Sequence, residues 1–138
     1  MADYRAIAQR WFTEVVTEGN LDAADEICGP DFVDHDPLPG TGADLDGLKE
    51  GITQIRAAFP DIQAEADDIL VEGDRVAVRS TMRATHEGDF FGIPASGKRI
   101  EVANYDFVRM DGDKCVEHWG VIDSAALMEQ IGAVPAAS

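Results

Sequence analysis

The sequence predicts an α+β domain with three N-terminal helices, a four-stranded antiparallel sheet and a short C-terminal helix. Before Pro60 the apolar residues recur with the helical period of about 3.6, and after it they alternate with the strand period of about two. Short turns separate the strands, which favours an antiparallel arrangement because parallel neighbours need a crossover of about a dozen residues. The 138 residues suit one domain, 1–138, with a core at about 4–132 and a tail at 133–138.

Three helices are predicted before Pro60. Asp3 and Asn20 are candidate N-caps of the first two, and the second spans Leu21 to about Ile27. The first ends at Gly19, and the third ends at Pro60, which cannot continue a helix. The apolar stripe of the first helix consists of Tyr4, Ile7, Ala8, Trp11, Phe12 and Val15, and that of the third consists of Leu45, Leu48, Ile52, Ile55 and Phe59.

The strands are predicted at 62–71, 75–86, 98–109 and 114–122. Residues 32–36 form a short extended piece that leads into a proline-rich loop, and a last helix runs from about Ser124 to Ile131. The sheet must bury one face, and the helices are expected to cover it. Because long strands twist and coil, such a sheet can leave a concave opening against a helix.

The formal net charge of −16 is concentrated in the first half of the chain. Residues 1–74 contain four Lys or Arg against eighteen Asp or Glu, whereas 75–138 contain seven against nine. Such a surface repels phosphates, so neither nucleic acid nor a membrane is expected as a partner. No apolar run approaches the roughly 20 residues of a bilayer span. With no apparent signal peptide, Cys28 and Cys115 are expected to be free thiols of a cytoplasmic protein, although one disulfide is an alternative.

The sequence contains none of the familiar metal, nucleophile or phosphate-loop motifs, so we expect neither a metal nor another cofactor. Asp34, His35 and Asp36 are potential metal ligands, but neighbours on an extended chain point apart. The remaining titratable side chains suit general acid–base chemistry. They are His35, Asp36, His86, Tyr105, Asp106, Glu117, His118 and Asp123.

Asp123 is the foremost candidate among these groups. On a regular strand it shares a face with Trp119, and a carboxyl beside an indole in a dry cavity has a raised pKa because burial disfavours its charged form. The alternative is structural, since Asp123 directly precedes a helix and can cap its free amides.

Two histidines and the third strand leave further alternatives open. His86 lies on the apolar row of its strand and is either catalytic or a hydrogen-bonded core residue; His35 is either functional or a loop histidine. Either Tyr105 or Asp106 faces inward, because the two alternate. For the cavity wall we predict Trp119, Tyr105, Met82 and Phe32, while arginines 79, 83 and 109 are expected on the outer face.

Four sequence stretches together resemble the SnoaL-like polyketide cyclases of the nuclear transport factor 2-like superfamily. These are His35-Asp36-Pro37, Thr85-His86-Glu87-Gly88, the stretch from Phe91 to Lys98, and Glu117-His118-Trp119 with Asp123 four residues later. The resemblance implies a cone-shaped, curved sheet around the helices, a deep apolar pocket and a homodimer formed through the sheet. It also implies that Asp123 is the acid–base group of an aldol closure. Where those enzymes have an assisting histidine, this chain has Asn104, Tyr105 or Asp106.

These observations predict a cofactor-independent acid–base enzyme that acts on a small hydrophobic carbonyl substrate, most concretely by closing a polyketide-type ring. Asp123 would move the proton, and His35 and His86 would hold substrate oxygens or relay protons. One alternative is an isomerase or an epoxide hydrolase; the hydrolases of this fold use an Asp-Arg-Asp set, for which Arg83 is expected to point the wrong way. Another is a non-catalytic dimeric domain that binds a small ligand.

Overall fold

The computed structural model describes residues 2–134 and confirms the α+β class. The predicted tail at 133–138 therefore lies largely outside the described residues. The helices are α1 (Tyr4–Arg10), which continues as a π-helix (Trp11–Thr17), α2 (Leu21–Ile27), α3 (Leu45–Ala58) and α4 (Ser124–Gln130). The strands are β1 (Cys28–Asp34), β2 (Gln63–Glu72), β3 (Arg75–Thr85), β4 (Arg99–Asp111) and β5 (Lys114–Ile122).

The predicted caps of the first two helices are confirmed. Asp3 Oδ1 accepts a hydrogen bond from the Ala6 amide at 3.1 Å, and Asn20 Oδ1 accepts one from the Ala23 amide at 3.3 Å. The widening of the first helix into a π-helix was not predicted. It is stabilised by the Thr17 hydroxyl, which donates to the carbonyl five residues earlier at 2.8 Å.

The sheet has five strands rather than the predicted four, in the order β1-β5-β4-β3-β2. The extended piece seen in the sequence belongs to β1, which begins directly after α2 and runs parallel to β5, whereas the other strand pairs are antiparallel. The pairing of β1 is interrupted between Cys28 and Val33, a stretch that includes Pro30, which has no amide hydrogen to donate. This interruption explains why the strand has no clear alternation in the sequence.

A bulge in β5 changes which residues face inward. Arg109 pairs with Glu117 and Met110 pairs with Cys115, so Val116 is the extra residue. Because of this insertion, Cys115 and His118 both line the inner side although they are three positions apart. A regular strand would have placed them on opposite faces.

The helices cover the inner face of the sheet. The π-helix and α1 pack on β2 at one edge, and α3 packs on β1 at the other. Along β3, Val76 and Val78 are buried, and Arg79 and Arg83 point outward to carboxylates of neighbouring strands, as predicted. Among the described residues, no helix is long and apolar enough to cross a bilayer.

We expect Leu127→Ala to lower the free energy of unfolding by about 2–5 kcal/mol, because the Leu127 side chain of α4 is only 2% exposed and its removal leaves a cavity. Leu70→Ala is the matched control: Leu70 is 69% exposed, and its loss should change stability by no more than about 0.5 kcal/mol. Urea unfolding followed by circular dichroism measures both. Equal losses would contradict the burial of Leu127.

Candidate active site

A cavity of about 400 Å³ lies between the inner face of the sheet and the helices. Its wall is largely apolar and includes Trp11 from the π-helix, Ile52 from α3 and Val78 from β3. Phe32 and Met82, two of the four predicted wall residues, also line it. The size and lining suit a small hydrophobic molecule.

Three ionisable side chains meet in this wall, and we call Asp34, His118 and Asp106 the triad. The imidazole of His118 lies between two carboxylates: its Nδ1 is 2.8 Å from Asp34 Oδ1, and its Nε2 is 2.7 Å from Asp106 Oδ1. Asp34 is buried, and Asp106 and His118 are largely so. Since each ring nitrogen faces a carboxylate oxygen, both can donate only when the ring is protonated.

The surroundings of His118 favour its charged form. Burial of the imidazole opposes protonation, but the hydrogen bonds to Asp106 and Asp34 and the negative charges of both carboxylates outweigh it and raise the pKa of His118 to about 10. Burial also acts against the charged form of Asp34. There the hydrogen bond and positive charge of His118, together with the Asp36 amide, hold the pKa of Asp34 below its ordinary value.

A second set of hydrogen bonds holds the carboxylates in place. Asn104 Nδ2 donates to Asp106 Oδ2 at 2.7 Å, and the Asp36 amide donates to Asp34 Oδ1 at 3.0 Å. Asp36 is exposed and also lines the cavity, so it lies at the opening. Its Oδ2 accepts a hydrogen bond from the Gly120 amide at 2.9 Å. The polar side of the cavity therefore runs from the buried Asp34 to the opening.

Three strands bring these residues together. His118 is the register partner of Asp34 on β1, and Asp106 of β4 is the partner of Gly120 on β5. A side chain at Gly120 would put its Cβ only 2.6 Å from Asp106 Oδ1 and 2.7 Å from His118 Nε2. The missing side chain of Gly120 is thus what leaves room for the Asp106–His118 hydrogen bond.

With His118 protonated and both aspartates ionised, the triad has a net charge of −1 in an apolar cavity. Uptake of one proton by a carboxylate would make it neutral, since the other carboxylate and the imidazolium then cancel each other's charge. The arrangement is therefore suited to removing a proton from a bound molecule and returning it.

The family model for SnoaL-like polyketide cyclases matches residues 6–131. The chain belongs to this family. No curated protein matches the sequence. The described structure has the SnoaL-like fold, as the resemblance noted in the sequence implies.

Solved structures agree with this assignment. TsrD from Streptomyces laurentii is 25% identical, with a TM-score of 0.87 over 95% of this chain and 96% of its own. IdmH from Streptomyces antibioticus, described as a proposed polyketide cyclase, is 32% identical, with a TM-score of 0.80 over 94% and 97%. AclR from Streptomyces galilaeus, described as a proposed hydroxylase, is 30% identical, with a TM-score of 0.83 over 97% and 83%.

In this SnoaL-like protein Asp123 is not in the environment that the sequence suggested. The side chain is exposed, does not line the cavity, and caps α4 by accepting from the Ala126 amide at 3.1 Å. The expected dry contact with Trp119 is wrong because Trp119 lies on the outer face of β5. The catalytic role of Asp123 stays a prediction, to be tested beside the triad.

His35, Trp119 and Tyr105 lie on the outer side of the sheet and do not line the cavity. The rings of His35 and Trp119 stack at 4.6 Å with an angle of 6°, and His35 Nε2 is 2.8 Å from Glu117 Oε2. Tyr105 is 48% exposed. The row that faces inward on β4 is therefore the one with Asn104 and Asp106.

His86 is fully buried, as its place on the apolar row predicted, but it lies outside the cavity wall. Its Nδ1 accepts from the Ser96 amide at 3.2 Å and is 2.9 Å from Ser96 Oγ, and its ring packs against Phe59. Nε2 has no hydrogen-bond partner among the residues that the structure describes. These contacts fix the segment before β4 to the end of β3.

The sequence marks Asp106, His118 and Asp36 as titratable groups but does not show that they form one site, and it indicates no catalytic role for Asp34. The sequence of β4 does indicate which of its two alternating rows of side chains faces inward. The row of Asp106 also contains Ile100, Val102, Val108 and Met110, whereas the row of Tyr105 contains Arg99, Glu101 and Arg109.

Gly120→Ala tests the space that the triad needs. We expect the new methyl to separate Asp106 from His118 and so to lower the pKa of His118, as measured by NMR titration of the ring. Gly29→Ala on β1 is the control, because its Cβ would lie 3.5 Å from the nearest atom, an ordinary contact. An unchanged pKa of His118 in Gly120→Ala would contradict this role of Gly120.

The raised pKa of His118 also predicts how stability depends on pH. A group whose pKa is higher in the folded state stabilises that state fully below its unfolded value, about 6.5, and the effect is lost as the pH rises through about 10. The difference in unfolding free energy between the native protein and His118→Gln should therefore decrease as the pH rises from about 6.5 to about 10. A difference that stays constant across this range, measured by urea unfolding, would contradict the protonated triad.

Proposed function

We propose that the protein is an acid–base enzyme that closes a ring in a hydrophobic, polyketide-type carbonyl substrate by an intramolecular aldol reaction, with the triad as the proton-transfer group. The observation that supports this is the position of His118 between two carboxylates in the wall of an otherwise largely apolar cavity. Membership of the SnoaL-like polyketide cyclase family agrees with it.

Asp106 is the base in this mechanism. It is the less buried of the two carboxylates, and Asn104 and His118 hold one oxygen each while leaving lone pairs available. Asp106 takes a proton from a carbon next to a carbonyl group of the substrate. The imidazolium of His118 stabilises the negative charge that then develops on the substrate.

The enolate carbon next bonds to a second carbonyl carbon of the same molecule, and the proton on Asp106 passes to the resulting alkoxide. The proton that Asp106 removes to form the enolate is returned to the alkoxide, so this reaction needs no cofactor. The cavity contributes by holding a flexible chain folded, with its reacting carbons close together. Asp34 keeps His118 charged and oriented and is a positioning residue.

Epoxide hydrolysis is the second candidate. Arg83 points outward and pairs with Glu101 at 2.6 Å, so it cannot supply the cation of an Asp-Arg-Asp set. His118 nevertheless is a cation between two aspartates, and the Asp106–Asn104 pair can orient a water. The lowered pKa of Asp34 makes it a poor acid for protonating the epoxide oxygen, which favours the ring-closure proposal.

The homodimer through the sheet stays a prediction. Its proposed surface, the outer face of β4 and β5, exposes Tyr105, Phe107 and Val121.

Asp106→Asn is the decisive variant. We expect the fold to be retained and kcat on diketone substrates to fall by about 10²–10⁴, the usual contribution of a positioned acid–base group. Asp111→Asn, an exposed aspartate on the same strand, is the matched control and should keep its activity. Circular dichroism and the urea midpoint verify folding. Assays of the same variants on epoxide substrates distinguish ring closure from epoxide hydrolysis.

Asp123→Asn tests the role that the family resemblance gives to Asp123. Because Asp123 is exposed and caps α4, and asparagine caps a helix about as well as aspartate, we expect little change in stability and retained turnover. Loss of turnover in Asp123→Asn together with full activity in Asp106→Asn would overturn the triad mechanism. No turnover of any substrate by the native protein, with a ligand still bound in the cavity, would favour a binding domain.

A further inference from the structure

The two cysteines of the chain are register partners on neighbouring strands. Cys28 of β1 pairs with Cys115 of β5, both are buried, and both line the cavity. Adjacent strands lie about 4.7–4.9 Å apart, within the Cα separation of about 4.4–6.8 Å that a disulfide spans. Both side chains face the same cavity, so the spacing of the two strands permits a bond between them.

The environments of the two thiols differ, which gives them different chemical roles. Contact with Cys115, followed by burial, raises the pKa of Cys28 well above its ordinary value. For Cys115 the interaction with Cys28 outweighs burial, and the charge of His118 helps to lower the pKa. Cys115 is therefore the thiol that ionises more readily, and the thiolate is the reactive form.

We propose that Cys28 and Cys115 are a redox modification site, in which a small hydroperoxide entering the cavity converts the two thiols into an intramolecular disulfide. The Cys115 thiolate attacks the peroxide oxygen, the O–O bond breaks, and a sulfenic acid and water or an alcohol form. The Cys28 sulfur then attacks the Cys115 sulfur, its proton leaves with the hydroxyl group as water, and the S–S bond forms. The thiols lose two electrons, which reduce the peroxide.

The position of the pair determines what the disulfide would do. Two register pairs connect the inner side of β1 to β5: Cys28 with Cys115, and Asp34 with His118. A disulfide makes the first connection covalent and removes the Cys115 thiol from the neighbourhood of His118. The oxidised protein would thus have β1, which carries one carboxylate of the triad, tied to β5. The proposal does not depend on the reaction catalysed in the cavity.

The experiment exposes the native protein to hydrogen peroxide and then alkylates it with iodoacetamide after unfolding. We expect the intact mass to fall by two hydrogens, no alkylation, and one peptide cross-link between Cys28 and Cys115. Dithiothreitol should reverse the change. The oxidised protein should also unfold at a higher temperature, because the cross-link closes a long loop in the unfolded chain.

Cys28→Ser and Cys115→Ser are the matched controls. In Cys28→Ser the remaining Cys115 should stop at the sulfenic acid, trapped by dimedone, and in neither single variant should the intact mass fall by two hydrogens. The proposal is overturned if the native protein gains oxygen atoms without losing two hydrogens or forms cross-linked dimers instead. It is also overturned if both thiols are alkylated after a peroxide treatment that oxidises the unfolded chain.

Discussion

The protonated imidazole of His118 is the constraint on which the site depends. A cation held in an apolar wall needs compensating charges, and here they come from two strands that are far apart in sequence, β1 and β4. Removing one partner of a buried ion pair commonly costs about 3–5 kcal/mol, yet replacing all partners by apolar groups is often neutral or stabilising. Stability alone does not explain the triad, and this favours a chemical role.

The same arrangement connects the fold to the proposed chemistry. The triad lies where β1 joins the sheet, so the strand that completes the cavity wall also brings the carboxylate that charges His118. Gly120 supplies the space for this contact, and its amide holds Asp36 at the opening. Backbone pairing, rather than a loop, therefore fixes the distances on which the proposed proton transfer depends.

Local patterns predicted the helices and the central strands well. The caps at Asp3 and Asn20 and the arginine alternation on β3 are signals within a few residues, and the structure has all of them. Long-range features were not predictable in this way. The parallel pairing of β1 depends on a partner more than 80 positions away, and the bulge at Val116 shifts the face of Cys115 without any glycine or proline to mark it.

The sequence suggests the wrong inward face for β5 because Trp119 has a large apolar side chain, which is typical of a buried position. In the structure its outer position is stabilised by stacking on His35 and by the nearby Phe107 and Arg75. Once Trp119 is outside, the alternation of the strand brings His118 into the cavity and leaves Asp123 to cap α4. Relatives at 25–32% identity share the fold of the chain but not every side chain. The proposed proton-transfer group therefore has to be identified from the contacts in this protein, and they favour the triad.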